Sequence, residues 1–294
     1  MANQYLRDYD FTIVPVEGDS KIILDLRISF EITKSVISFP NLARISIYNV
    51  NSETLSLLQT QGTLIVLNAG YSGNKRVIFR GEIRNIFQAK QGVDRIVTIY
   101  AADGDRDFRR AIFNKTFTEN VTISAAIQEV LESFKDVAIG TIQGLPMVAD
   151  KLRGQTLTGK SADILDQFAD EYNFDWNILD GEIVITPNDS PIEGIEAVLI
   201  NFATGMIGLP TITESQLGVG GVEVTSLLNP LLIPNGAFIV EASGTEVQVG
   251  NLFFRQLKRT SANGLYKCQE VTFRGDSREG EWVSIAKGKA ISNG

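Results

Sequence analysis

Nine residues, Leu24 to Ile32 (LDLRISFEI), alternate strictly: Leu24, Leu26, Ile28, Phe30 and Ile32 fall on one face, Asp25, Arg27, Ser29 and Glu31 on the other. A period of two fits a strand with one face buried and one wet, so the chain around it has to supply the rest of a sheet. Further β-rich runs follow at ARISIYNV (43–50), TLIVLNAGY (63–71), RVIFRGEIRNIFQ (76–88) and DRIVTIYAA (94–102), bounded by Asn, Gly or Gln. Strands at this spacing predict an antiparallel barrel or sandwich over residues 1–105.

The period then changes. TISAAIQEVLESF sets Ile123, Ile127, Val130, Leu131 and Phe134 at helical spacing, with Thr122 as N-cap. A second amphipathic helix is predicted from Ser161, with Ile164, Leu165, Phe168, Ala169 and Tyr172 along one stripe and Asp163, Asp166, Asp170 and Glu171 in solvent. FDWNILDGEIVITP reads as two strands joined at Asp180-Gly181, residues that tolerate the positive φ of a primed hairpin turn. Residues 106–195 are therefore expected to form a small α+β insert. From 196 to 294 strand patterns return at EAVLINF, VEVTSLL, AFIVEA, EVQVGNLFF, LYKCQEVTF and EWVSIA, a second β-domain, with only the last few residues, GKAISNG, expected as a tail. The expected class is mainly β with an α+β insert.

Within that second region GVEVTSLLNPLLIPNG (221–236) runs from strand into a segment that cannot be helix. Pro230 and Pro234 remove ladder donors, while Leu227, Leu228, Leu231, Leu232 and Ile233 are too apolar to leave in water. A stiff connection covered by a domain or a partner subunit is predicted.

Composition narrows the chemistry. The 294 residues include no histidine, which removes histidine-based nucleophilic sites, histidine-bearing zinc sites and most general-base chemistry near neutral pH. Cys268 is the only cysteine, so neither an intrachain disulfide nor a multi-cysteine zinc motif is available. A formal charge of −8 disfavours binding by phosphate neutralisation. No apolar run approaches the roughly 20 residues that span a bilayer, and MANQYLRDYD is too polar for a secretory signal, so a soluble protein made in the cytoplasm is expected.

Several motifs have a functional and a plain reading. GQTLTGKS (Gly154–Ser161) matches a phosphate-cradling loop in which Lys160 would reach phosphates and Ser161 magnesium. Such a loop needs a buried parallel strand before it, whereas GLPMVADKLR is polar at its end and broken by Pro146, so a capped helix start is favoured. GVGG (218–221) leads into a strand, against a dinucleotide fingerprint. Asp103, Asp105 and Asp107 have the opening spacing of a calcium loop, but Phe108 and Asn114 stand where Gly and Glu are required; a solvated loop interleaved with Arg106, Arg109 and Arg110 is preferred. Cys268 reads as a packed thiol, and Trp176 and Trp282 as core, although an exposed Trp282 would suit an interface and Trp176 or Tyr266 could serve a glycan-binding groove.

The segment TGMIGLPTITE…GVEVTSLLNPLLIPNGAFIVEAS (204–243) resembles one in the baseplate hub proteins of contractile-tailed bacteriophages, the T-even-type tail hub family, where a G-x-I-G-x-P element precedes a strand, LLNP and a proline-glycine turn. The residues carrying the resemblance are Gly205, Gly208, Pro210, Leu227, Leu228, Asn229, Pro230, Pro234 and Gly236, with Gly275, Asp276 and Trp282 in YKCQEVTFRGDSREGEWVSIAKG (266–288). LTGKSADILDQFADEYNFDWNILDGEIVITP (157–187) is similar to the helix-plus-hairpin insert of those hubs. Arg274 departs from the family pattern, where a histidine often precedes the Gly-Asp turn.

What the resemblance implies is a non-enzymatic virion protein of the tail baseplate, assembled in the host bacterial cytoplasm. Two tail-tube-like β-barrel domains, 1–105 and 196–294, would flank the 106–195 domain. A homotrimeric ring would present a pseudo-sixfold face to a hexameric tail tube protein and a threefold face to a central spike protein. Other baseplate proteins would contact it, DNA would pass through its channel, and neither a cofactor nor membrane insertion is implied.

Overall fold

A computed structural model describes residues 6–145, 151–214, 220–248 and 261–291. The first region supplies β1 (Arg7–Val14), β2 (Lys21–Ile23), β3 (Ile28–Ser35), β4 (Leu42–Tyr48), α1 (Ser52–Gln59), β5 (Leu64–Tyr71), β6 (Arg76–Gln91) and β7 (Asp94–Ala102). All neighbouring pairs are antiparallel, in the order β3-β4-β7-β6-β5-β1-β2. The alternation predicted for 24–32 holds from Ile28 onward, where Ile28, Phe30 and Ile32 are buried. Leu24 is instead 56% exposed, because the chain bends at Asp25 and Leu26. The bend is held by Tyr9, whose hydroxyl donates to the Leu26 carbonyl, and by Arg27, whose guanidinium reaches Asp276.

The insert contains α2 (Asp105–Arg110), β8 (Ile112–Thr122), α3 (Ile123–Leu131), β9 (Ala138–Ile142), β10 (Lys151–Lys160), α4 (Ser161–Tyr172), β11 (Phe174–Leu179) and β12 (Glu182–Pro187). Thr122 caps α3 as predicted, its hydroxyl accepting from the Ala125 amide at 3.3 Å. Asn173 ends α4 in the left-handed region (φ 57°), and Asp180 and Gly181 (φ 54° and 87°) turn β11 back on β12. Strands β8 and β10 pair with each other, and β9 joins β12 in parallel. The stripes of α3 and α4 bury Ile127, Val130, Leu131, Leu165 and Phe168 around Trp176, a core separate from that of the large sheet.

The last region gives β13 (Val198–Ile200), shorter than the EAVLINF run, then β14 (Met206–Glu214), β15 (Gly220–Leu227), β16 (Ala237–Val240), β17 (Glu246–Gln248), β18 (Gly264–Asp276) and β19 (Trp282–Ala290). Of EVQVGNLFF, residues 249–254 lie outside the described residues, as do Gly218 and Val219 of GVGG. The expected tail begins late, since Gly288, Lys289 and Ala290 still pair in β19. Order here is β17-β14-β15-β19-β18, with β13-β16 branching from β18.

The two β regions form one sheet. Glu270–Asp276 of β18 pair antiparallel with Ser29–Ser35 of β3, giving 14 hydrogen-bonded strands among the described residues, on one continuous core. The path is open at β2 and β17 as described. At the junction Gly275 has no room for a side chain: a Cβ there would meet the Phe30 ring and come within 2.6 Å of Trp282 Cε3. Trp282 packs edge-on to Phe30 and donates to the Gly70 carbonyl at 3.0 Å. Gly275→Ala is expected to cost about 1–3 kcal/mol through overpacking, read as a lower urea midpoint with unchanged slope.

Candidate functional site

The signature residues fall into three places. Gly205 (φ 97°) ends a 3-10 turn at 202–204, and its carbonyl accepts from the Leu227 amide. Gly208 (φ 71°) lies exposed where the β14–β15 register shifts, and Pro210 is buried beyond it. Gly275, Asp276 and Trp282 lie at the β18–β3 junction. Burial opposes ionisation of Asp276, but Arg27 and the amides of Arg278 and Glu279 donate to it and hold its carboxyl below the usual range.

The third place is the proline segment, which the chain itself covers. Leu228, Pro230, Leu232, Pro234, Asn235 and Gly236 are buried, while Leu227 and Asn229 are half-buried and Leu231 is 41% exposed. The backbone along it is partnered. The Leu228 amide donates to the Trp282 carbonyl, the Asn229 amide to Ser284 Oγ, and Asn235 and Gly236 exchange backbone hydrogen bonds with Cys268. Asn235 takes φ 64°, which its short side chain tolerates.

Asn235 is also the contact between this segment and the insert. Thr186 Oγ1 donates to its Oδ1 at 2.8 Å, and its Nδ2 donates to Asn177 Oδ1 at 3.3 Å. Around it the β11–β12 hairpin is strapped to the sheet by buried polar groups. Lys267 Nζ, 2% exposed, reaches Asp175 Oδ2 at 2.7 Å and the Pro187 carbonyl at 2.6 Å. Burial pulls the Lys267 ammonium below its usual range, and the Asp175 charge opposes this. At the other end Lys34 Nζ lies 2.7 Å from both Asp180 oxygens. Between them Asn41 donates to the Ile178 carbonyl and Asn177 to the Ser35 carbonyl. Only the Asp180-Gly181 turn of this constellation was singled out in the sequence; the lysines carry no local signal, since Lys34 and Lys267 each look like one charge in an alternating strand.

The enzyme-like motifs lose their chemistry. Gly154–Lys160 is strand β10, paired antiparallel with β8, and no phosphate loop; it runs directly into α4, which starts at Ser161 as expected, with Lys160 at the N-cap position but no side-chain cap. Ser161 Oγ is buried and accepts from Ser133 at 2.6 Å. The three aspartates are not a solvated loop. Asp103 is 1% exposed and accepts from the Asp180 and Gly181 amides; Asp107 is buried and accepts from those of Asp136 and Val137; Asp105 pairs with Arg84 and Arg109. The Asp103 and Asp107 carboxyl groups point inward to satisfy backbone donors that cross-strand pairing leaves open. No His, Cys, Asp and Glu group suited to a metal occurs among the described residues. Trp176, Tyr266 and Trp282 are each 2% exposed, so they form neither a glycan platform nor an interface. Burial pushes the Cys268 thiol up to about 12, which keeps it protonated and inert. Among the described residues no helix is long and apolar enough to cross a membrane.

What the molecule exposes is a sheet face and an arm. An open groove of about 580 Å3 crosses β18, β3, β4 and β7, where Glu31 bridges Arg44 (2.9 Å) and Arg274 (2.8 Å) beside Ser29, Thr98 and Tyr100. The single Glu31 carboxylate is thus shared between two guanidinium groups. The β6–β7 hairpin projects from this face: no strand pairs with the outer edge of β6 from Arg84 to Gln91 among the described residues. Phe87 is 60% exposed on it, against Tyr100, and Val93 is 95% exposed at its tip.

No protein-family model and no curated protein matches the chain. Solved structures do. A 43 kDa tail protein of prophage MuSo2 from Shewanella oneidensis is 10% identical with a TM-score of 0.62, over 96% of this chain and 97% of that one. A tail protein from Neisseria meningitidis is 9% identical with a TM-score of 0.61, over 96% of each chain. An Escherichia coli component of the type VI secretion system, described as similar to the T4 bacteriophage tail proteins gp27 and gp5, is 12% identical with a TM-score of 0.58, over 92% of this chain and 76% of that one. This chain therefore has the fold of these phage tail and type VI secretion proteins, mainly β among the described residues.

The hinge of the site is Asn235. Asn235→Ala removes two buried hydrogen bonds and strains a left-handed backbone, and is expected to cost about 2–4 kcal/mol. Asn235→Gly removes only the hydrogen bonds and should cost clearly less; equal losses in urea unfolding would show that the backbone conformation contributes nothing.

Proposed function

We propose that this chain is a structural hub of a phage tail baseplate or a related contractile machine: a homotrimeric ring that joins a hexameric tail tube protein to a trimeric central spike protein and leaves a channel for DNA. The observation that carries the reading is the match of the whole chain, insert included, to tail proteins. The sequence resemblance in the proline segment agrees with it. In this reading 1–105 and 196–294 are the two tube-like units and 106–195 is the insert between them. The virion baseplate is its place, after assembly in the bacterial cytoplasm, with other baseplate proteins around it.

The surface chemistry suits such a role. A long unpaired strand edge is a hazard in a monomer and a ready pairing surface in an oligomer. Three chains would carry about three times −8, and an acidic lumen would let DNA slide without sticking. The reaction-bearing alternatives have lost their sites: the Lys160 segment is a strand, and the aromatic residues of a glycan groove are core.

Light scattering of the purified protein is expected to give three chain masses, with negative-stain images of the same peak showing a threefold ring. Phe87→Glu, on the projecting arm, should shift that mass toward one chain while changing monomer stability by no more than about 0.5 kcal/mol, as for a surface position. A wild-type monomer that stays monomeric with tube and spike proteins present would overturn the reading.

A further inference from the structure

Where the hairpin turn of the insert meets the sheet, two carboxyl groups lie near one buried ammonium, which bonds only one of them. Asp103, just past the end of β7, accepts from the backbone amides of Asp180 and Gly181, the latter at 3.0 Å. Asp180 itself holds Lys34 with both oxygens. Lys34 is the only side-chain cation hydrogen-bonded to either carboxylate among the described residues. Of the remaining charged groups at this point all but Arg80 are committed elsewhere, and Arg80 makes no ion pair or hydrogen bond with Asp103 or Asp180. A cavity of about 210 Å3 beside Asp103 is lined by Glu82 and Arg80 of β6, by Asp105, Arg106 and Asp107 at α2, and by Asp136. Arg106 pairs with Glu82 and Asp136, Asp105 with Arg84 and Arg109, and Asp107 binds two amides. Arg80 lies beside Gly181, and on the β3–β4 side the neutral Asn41 accepts from the Asp103 amide through its backbone carbonyl.

We propose that Asp103 is a proton-operated catch between insert and sheet: protonated, it lets the hairpin turn seat on the sheet with one carboxylate per lysine; ionised, it sets a second buried negative charge against Asp180 and loosens the turn. The geometry favours a choice of this kind, because a 1% exposed carboxylate with no cation of its own is costly to keep charged and its two amide hydrogen bonds offset only part of that cost. Burial first, then the Asp180 charge, push the Asp103 carboxyl up to about 7, while Lys34 and the two amides oppose them. The sign follows. Between about pH 4 and pH 7 the folded chain holds a proton on Asp103 that the unfolded chain has lost, so stability at the seam falls as pH rises through that window and levels off above it. The catch concerns the chain itself and stands whether or not the tail reading is right.

The test follows the Asp103 carboxyl carbon by NMR in the full chain labelled at aspartate, with amide hydrogen exchange along β11–β12 corrected for the intrinsic pH effect. The wild type is expected to titrate near pH 7, and hairpin protection to drop at least about tenfold between pH 5.5 and 8.5, the equivalent of one pKa unit. Asp103→Asn should keep high protection with no pH dependence. Should that variant not fold, Asp180→Asn decides: the Asp103 midpoint should fall by about one unit or more as the neighbouring charge is lost. An Asp103 that titrates below pH 5, hairpin protection that ignores pH, or an Asp103→Asn chain with the wild-type dependence would each overturn the proposal.

Discussion

Strand β18 uses both of its edges, and the rest of the molecule is arranged by that fact. One edge carries β19 along its length; the other carries β16 over Gly264–Lys267 and then β3 over Glu270–Asp276. A strand that serves two neighbours in succession on one edge needs the first to end before the second begins, and the Asn235-Gly236 exchange with Cys268 fills that gap. The proline segment is thus a spacer in the ladder. Its stiffness matters because the neighbouring insert is registered on it: Asn235 touches Asn177 and Thr186, and Lys267, one residue before Cys268, holds Asp175.

The hairpin is consequently held by polar groups where an apolar contact would have been simpler. Two buried lysines, three asparagines and a threonine are together a poor source of net stability, since the desolvation of each ion offsets most of its attraction. They are a good source of position. Apolar side chains tolerate a slip of an ångström, whereas a 2.7 Å ammonium contact and an amide pair do not. The apolar cores on either side supply the energy, with Trp176 and its neighbours in the insert and Phe30, Phe273 and Trp282 in the sheet.

Much of this was legible in the sequence where a residue's period or backbone demand is local. The stripes of α3 and α4, the Asp180-Gly181 turn and the strands from Ile28 to Ala102 follow from spacing alone. The edges of elements were less legible: Leu24 and Leu26 continue the alternation of β3 but lie across a bend imposed by Tyr9 and Arg27, contacts with residues far along the chain. Strand β10 was missed because Gly154 and Gly159 weaken strand propensity and the motif they belong to suggests something else; its pairing with β8 overrides both. The candidate site was the least legible part. Asp103 sits in AADGDRDFRR, which looks like a solvated charged loop, and only the approach of a turn 77 residues away makes it a buried acceptor.

A fold held this way is compatible with sequence identity near 10%. In this chain β18 constrains few side chains: a glycine where Phe30 and Trp282 close over the strand, a residue that accepts left-handed φ beside Cys268, and apolar alternation elsewhere. Alternation can be met by any mixture of Ile, Val, Leu and Phe of about the right volume. Backbone pairing carries the rest, and it places no demand on side-chain identity. The few positions that cannot vary freely are then those at which the backbone itself is unusual. Gly205, Gly208, Asn235 and Gly275 are of this kind, through positive φ or lack of space, and the three glycines are among the residues that carry the sequence resemblance.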